Sequence, residues 1–406
     1  MITRRSAVAI LLGFAAIVAA GPGNAAGPAD GFTCGINVRN YLAYPDFEEW
    51  PYYRGDLANP TGDELRRFKA LGFDFVRLAV EVGPWMVAPA GIRQALGERL
   101  ADFIQRAHAA GLRTMVNMFP RPDSADWQPE DLLKSKDGAA FRTYRALLGE
   151  VALVLSDLGR FRPALELMNE PQAACRRTIG LDWAELQPLL YGDVRAVAKD
   201  LTIVVTGGCW SRIAGLAAVN MAAFDSNTLV DVHYYEPFSF THQGAWWTVP
   251  ELHHAAGLAF PPGTTDLKQV ETAVGKMLDT RHKGPAQERR ELMRQTMRNA
   301  RRYKKENFDE AAIRAEMAEL RDWAVRNGVP PGRILIGEFG VLRSWPESGL
   351  VDDGSRARWL RTVRSAAEAH GFGWALWSYE GVFGLINDET AKSLDSSMLD
   401  AIGLPR

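Results

Sequence analysis

The sequence predicts an α/β chain folded as one (β/α)8 barrel of the TIM type, with a long, partly helical insertion between strands 6 and 7. Three observations lead there. Eight short apolar runs recur along the 406 residues, nearly all separated by stretches with helical spacing. The runs are continuously apolar rather than alternating, as parallel strands covered on both faces are. No Gly-rich phosphate fingerprint follows the first run, which argues against an open doubly wound sheet. A hydrophobic content of 47% is enough for a large core, and 24% charged residues suit a solvated surface.

The elements follow in order. Gly31–Asn40 reads as the first strand, and a polar-aromatic loop with Trp50, Tyr52 and Tyr53 leaves it. Thr61 with Glu64 three residues on is a capping box, so a helix starts there, faces inward with Leu65, Phe68 and Leu71, and ends at Gly72. Phe73–Val80 is the second strand, Ile92–Ala110 a helix, and Arg113–Pro120 the third strand. Helix Ala139–Leu158 precedes the fourth strand, Ala164–Met168, which stops at Asn169-Glu170-Pro171 because proline cannot continue the pairing. Helix Trp183–Ala198, strand Leu201–Gly207, a short helical piece and strand Leu229–Pro237 come next. The insertion, about 238–331, begins as an irregular loop and turns helical from Gln287 to Asn327. Strand Ile334–Val341, helix Arg356–His370, strand Phe372–Tyr379 and a last helix, Ser397–Ile402, complete the chain.

Residues 1–26 read as a signal peptide and 27–406 as the barrel domain. Arg4-Arg5 precede the apolar run Ala7–Ala20, and small residues fill Gly21–Ala26. That run, of about 14 residues, falls short of the roughly 20 a spanning helix needs, so no stable membrane anchor is expected. A Sec-type route is preferred to a twin-arginine one because Ala7 stands where a bulky residue would. The product is expected outside the cytoplasm, periplasmic or secreted, as a monomer. Cys175 and Cys209 follow consecutive strands at the same end, where an exported protein can bridge them; three reduced thiols is the alternative, and Cys34 reads as core.

A formal net charge of −2 gives nucleic acid no purchase. The cluster Arg298, Arg301, Arg302, Lys304 and Lys305 reads as a solvated helix face, with contact to an acidic polymer or partner as the alternative. Glu251 with His253-His254 lacks a further ligand at helical spacing, so no metal is assigned, and no cofactor is implied.

In such a barrel, chemistry collects at the C-terminal strand ends. Arg77, Asn117, Asn169, Glu170, His233, Tyr235, Glu338 and Trp377 all stand there. Two of them are acids at the tips of hydrophobic strands, the equipment for breaking a glycosidic bond. With Asn-Glu-Pro after the fourth strand and Glu338 at the seventh, the chain from about Gly31 onward resembles glycoside hydrolase family 5 and its clan of retaining β-glycosidases. The resemblance implies that Glu170 is the general acid/base and Glu338 the nucleophile. Arg77 and Tyr235 would keep Glu338 ionised, and Asn169 would bond the 2-hydroxyl of the attacked sugar. His233 would line that subsite, with Trp377 as a ring beneath it. Many members carry a histidine at the end of the third strand, where this chain reads Asn117-Met118-Phe119-Pro120; Asn117 is the residue assigned there to a sugar hydroxyl. Trp85, Trp127, Trp210, Trp246, Trp247 and Trp345 are candidates for further sugar platforms.

The expected function is an exported retaining endo-β-glycanase that hydrolyses a β-linked glucan, with β-1,4 linkages preferred and β-linked oligo- or polysaccharide as the partner. β-Mannan or β-1,3-glucan is the alternative within the class. Outside it stand a barrel that only binds glycan in a polysaccharide-export system, and a transglycosylase sharing the covalent intermediate.

Overall fold

The computed structural model describes residues 30–43, 60–121, 127–171, 183–343, 352–388 and 393–405. Within them, eight parallel strands close into a barrel in the order of the sequence. They are β1 (Cys34–Leu42), β2 (Phe75–Glu81), β3 (Arg113–Phe119), β4 (Ala164–Glu166), β5 (Thr202–Thr206), β6 (Thr228–Tyr234), β7 (Ile334–Phe339) and β8 (Gly373–Leu376). Around them lie α1 (Gly62–Ala70), α2 (Ala90–Ala109), α3 (Ala139–Asp157), α4 (Trp183–Val197), α5 (Leu267–Arg281), α6 (Ala286–Glu306), α7 (Glu310–Arg326), α8 (Asp353–Ala369) and α9 (Ser396–Ala401). No described helix is long and apolar enough to cross a membrane. The signal-peptide segment, Trp50, Tyr52, Tyr53, Cys175 and Trp345 lie outside the described residues.

Because side chains alternate along a strand, each strand sends one set inward and the other under the helices. The inner floor is Phe75, Met115, Ala164, Val204, Leu229, Leu335 and Ala375. The outward set joins the helix faces in one continuous core. Between the floor and the mouth lies a layer that no apolar pattern announces: Asn37, Arg77, Asn117, Glu166 and Asp231, all fully buried. Above it, Ala43, Ala79, Phe119, Ala245, Leu342, Trp377 and Phe383 line the mouth.

Two features differ from the sequence reading. The insertion is shorter and more regular than 238–331: α7 packs on α8 and so serves as the barrel's own cover helix after β6. Helix α5 stands where an irregular loop is expected, with Val270, Val274, Met277 and Leu278 at helical spacing behind an Asp266 cap. The insertion proper is the α5–α6 hairpin with the loop before it. Tyr303 Oη donates to Ala259 O at 2.6 Å and Lys304 Nζ to Thr265 O at 2.6 Å, fastening α6 to that loop. Arg298 and Arg302 are exposed on α6 and face Glu291 and Glu306 of the same helix, as a solvated face does. The second difference is a short hairpin, Ile386–Asp388 with Ser393–Leu394, after β8.

The capping box of α1 forms as the sequence predicts, with Thr61 Oγ1 accepting from Glu64 N–H and Glu64 accepting from Thr61 N–H at 2.8 Å. Glu64 also accepts from Tyr379 Oη at 2.7 Å, tying the helix to the segment after β8. Urea unfolding should therefore show Thr61→Ala costing about 1 kcal/mol, an ordinary cap, and Glu64→Ala costing more, because it also strands the buried Tyr379 hydroxyl.

Candidate active site

The site is built around Arg77, an inward residue of β2 with no exposed surface. A guanidinium has five N–H donors, and here every one is used. Nε donates to Glu166 Oε2 at 2.7 Å. One Nη2 hydrogen goes to Glu166 Oε1 at 2.9 Å and the other to Asn169 Oδ1 at 3.0 Å. Nη1 reaches Asn37 Oδ1 at 2.9 Å and Glu338 Oε1 at 2.7 Å. Burial opposes the charge, but Glu166, Glu338 and Asp231 outweigh it and raise the pKa of Arg77 further.

Glu338, the last residue but one of β7, has Arg77 on one carboxylate oxygen and the Tyr235 hydroxyl on the other, the latter at 2.8 Å. Burial raises its pKa, while His233 and Arg77 restrain that rise. Tyr235 is itself pushed well above the ordinary phenol range by burial beside Glu338, so it stays neutral and donates. Glu170 follows β4 and is the open member of the pair, its side chain 28% exposed. Its backbone is in the left-handed region at φ 40°, unusual for a residue with a Cβ and common where a side chain must be aimed.

His233 stands between the acids. Its Nδ1 lies 2.9 Å from Glu170 Oε1 and 3.6 Å from Glu338 Oε2. Its Nε2 lies 3.1 Å from Arg77 Nη2 and 3.4 Å from Asp231 Oδ2. The imidazole thus presents Nε2 to both the Arg77 guanidinium and the Asp231 carboxylate. Burial would lower its pKa, but Glu338, Asp231 and Glu170 raise it well above the ordinary value. One oxygen each from Glu170 and Glu338 and one nitrogen of His233 lie within 4.8 Å of one another.

The structure brings together Arg77, Asn169, Glu170, His233, Tyr235 and Glu338. Trp377 lies beside them in the mouth layer, stacked near Phe119 with ring centroids 6.3 Å apart. Asn117 is not with them. It is wholly buried below the mouth, and both its amide atoms lack a hydrogen-bond partner among the described residues. The pleat explains this: Met115, Asn117 and Phe119 all point inward, and the last of them, Phe119, is the one at the rim. Of the tryptophans, Trp85 is buried core, whereas Trp210, Trp246 and Trp247 are exposed. Trp210 N–H donates to Pro171 O, next to Glu170. Cys209 is disulfide-bonded and Cys34 is a free thiol.

Sequence reasoning passed over Glu166, Asp231 and Asn37. Burial pushes the carboxyl of Glu166 up to about 7 against the pull of Arg77. Glu166, Asp231 and His233 are close enough together to ligate a metal, but the Arg77 guanidinium, 3.7 Å from Asp231, already supplies the positive charge there.

The family model described as Cellulase (glycosyl hydrolase family 5) matches residues 45–381. The chain is 27% identical over 236 residues to Endoglucanase 3 of Fibrobacter succinogenes, covering 57% of this chain and 32% of that protein. It is 23% identical over 256 residues to Cellodextrinase A of Ruminococcus flavefaciens, covering 62% of this chain and 73% of that protein. It thus spans only about a third of the first relative's length. A solved hyperthermophilic endo-β-1,4-glucanase in complex with substrate shares the fold, with a TM-score of 0.67 at 23% identity over 93% of this chain and 100% of that one.

Removing the central cation strands three carboxyl groups. Arg77→Met should lose about 3–5 kcal/mol in urea unfolding at neutral pH. The stranded acids then hold protons more tightly folded than unfolded, so stability falls as pH rises through their raised pKa values. The deficit against wild type should accordingly shrink as the pH is lowered from 8 toward 5.

Proposed function

The chain belongs to the cellulase family, glycosyl hydrolase family 5, and on that premise we propose that it is a retaining endo-β-glycanase that cleaves β-1,4-glucan through a covalent glycosyl-enzyme. One observation carries the mechanism: oxygens of Glu170 and Glu338 within 4.8 Å of each other. Retaining enzymes hold their carboxyl groups about 5 Å apart, whereas inverting ones need roughly 6.5–9.5 Å to seat a water between the base carboxylate and the sugar.

In this reading the Glu338 carboxylate attacks the anomeric carbon, forming a C–O bond as the glycosidic C–O bond breaks. The leaving oxygen takes the proton of Glu170. Water then attacks the same carbon, gives its proton to Glu170 and releases Glu338, so atoms and charge balance over the cycle. Arg77 and Tyr235 hold the nucleophile charged and aimed. Asn169, its carbonyl oxygen taken by Arg77, keeps its amide N–H2 for a sugar hydroxyl, and Trp377 offers a ring face.

The rim supports an extended substrate. Trp210 is 43% exposed on the side of Glu170. On the side of Glu338, Tyr235 packs edge-on to His242, and Ala245 joins the mouth cluster. The next residues, Trp246 and Trp247, are 63% and 45% exposed. They sit on a fastened loop, where Arg281 Nη1 donates to Gly244 O at 2.7 Å and His253 bonds Thr248 O at 2.8 Å. Aromatic faces on both flanks of the acid pair suit a chain bound across its middle. The relatives named as endoglucanase and endo-β-1,4-glucanase favour β-1,4-glucan. The charged-then-apolar N-terminus and the bonded Cys209 support export.

Against a panel of β-1,4-glucan, β-1,3-glucan, β-mannan and xylan, β-1,4-glucan should lose viscosity before many reducing ends appear. Glycan binding without cleavage would favour the binding barrel instead. Glu338→Ala should abolish turnover, and azide should restore it with formation of an inverted product. Glu170→Ala should lose about 10²–10⁴ in rate on unactivated glucan yet spare activated aryl glycosides. Since Glu338 must be ionised and burial raises its pKa, the acid limb of kcat/KM should lie above the ordinary carboxylate range. Tyr235→Phe removes a donor to the charged form and should move that limb to higher pH. The Trp246→Ala/Trp247→Ala double variant should raise KM on polymer while leaving a short aryl cellobioside unaffected.

A further inference from the structure

Glu338 faces the interior only because β7 carries one residue too many. Along β6 and β7 the partners run Val232 with Ile336 and then His233 with Glu338, which leaves Gly337 without a partner. Against β8 the register also shifts between Ile336 and Phe339. Gly337 is therefore bulged on both sides. Strand alternation gives the consequence: Leu335 points inward to the floor and Ile336 outward under the helices. Without the extra residue, Glu338 would follow Ile336 outward and Phe339 would point in; instead Phe339 joins Ile336 in the outer core.

A bulge costs ladder hydrogen bonds, and two side chains replace them. Asp231 Oδ1 accepts from Gly337 N–H at 2.6 Å. Asn37 Nδ2 donates to Gly337 O at 2.9 Å, and reaches Leu376 O at 3.2 Å. The fit leaves no room, since a Cβ on Gly337 would collide with the Asp231 carboxylate. The same two side chains face the groups that hold Glu338: Asn37 Oδ1 accepts from Arg77 Nη1, and Asp231 Oδ2 faces His233 Nε2 and Arg77.

We propose that Asp231 and Asn37 are positioning residues that clamp Gly337 at its N–H and at its C=O, and that this clamp turns the nucleophile Glu338 into the active site. The inference rests on the hydrolase reading for its kinetic consequence, but not for its structural one.

Three variants test it: Asn37→Ala, Asp231→Ala and Asp231→Asn. The readout is the rate at which 2,4-dinitrophenyl 2-deoxy-2-fluoro-β-cellobioside traps the enzyme, beside kcat and KM on an aryl cellobioside. Misplacing an attacking atom by an ångström costs about a hundredfold, so both alanine variants should lose about that much in trapping rate and kcat with KM little changed. Asp231→Asn keeps an oxygen for Gly337 N–H and should recover most of the loss, which a purely electrostatic role for Asp231 does not allow. A wild-type trapping rate in folded Asn37→Ala, or equal losses in Asp231→Asn and Asp231→Ala, overturns the clamp. Should Asp231→Ala fail to fold, Asn37→Ala decides alone, because it leaves Asp231 in place. If wild type is neither trapped nor cleaves any β-glycan, the hydrolase reading fails. The crystal structure of Asn37→Ala then still decides the clamp: Glu338 displaced from Arg77 upholds it, and Glu338 unmoved overturns it.

Discussion

A single buried guanidinium with no donor to spare holds the site in one arrangement. Arg77 joins β2 to Glu166 after the floor of β4, to Asn169 beyond it, to Asn37 of β1 and to Glu338 of β7. A charge in that position is tolerable only because it is fully paired and fully bonded, and removing either side leaves an uncompensated ion in a dry interior. His233 extends the set: its Nε2 lies against Arg77 and Asp231, and its Nδ1 meets Glu170. One imidazole thus links the guanidinium to the more exposed acid.

The two acids sit in unlike surroundings, which is what a division of labour between them requires. Glu338 is buried with a cation on one oxygen and a hydroxyl on the other. Glu170 is partly exposed, on a strained backbone at the lip of the barrel, beside the exposed Trp210. The insertion after β6 adds an aromatic edge on the opposite flank, and α6 is fastened to the loop that carries it. Arg77, His233 and Glu338 sit on strands, which are rigid, whereas the exposed Trp246 and Trp247 sit on a loop braced by α5 and α6.

Much of this was legible in the sequence, for a physical reason. Strands buried on both faces read as continuous apolar runs, so polar residues at their ends stand out; Asn169-Glu170 and Glu338 are visible in that way. The same continuity hides the layer beneath. Glu166 and Asp231 interrupt apolar runs as single residues, and nothing local tells whether such a residue points to the barrel axis or to the helices. Asn117 is a case in point: it has the chemistry to bond a hydroxyl but lies one pleat short of the rim, where Phe119 stands. Gly337 hides something else, since a one-residue bulge reverses which face the following residue serves. The helix Leu267–Arg281 carried its own signal, in the spacing of Val270, Val274, Met277 and Leu278 behind Asp266, and belongs to the legible part.

On the proposed mechanism, the spacing of Glu338 and Glu170 suits double displacement and leaves no place for a water between a base carboxylate and the sugar. The most direct test is the configuration of the first product, followed by proton NMR of the anomeric signals as a β-1,4-linked cello-oligosaccharide is cleaved. Double displacement predicts that the β anomer appears first and the α anomer only later, by mutarotation. An α anomer at the earliest times would mean single displacement and would contradict the account.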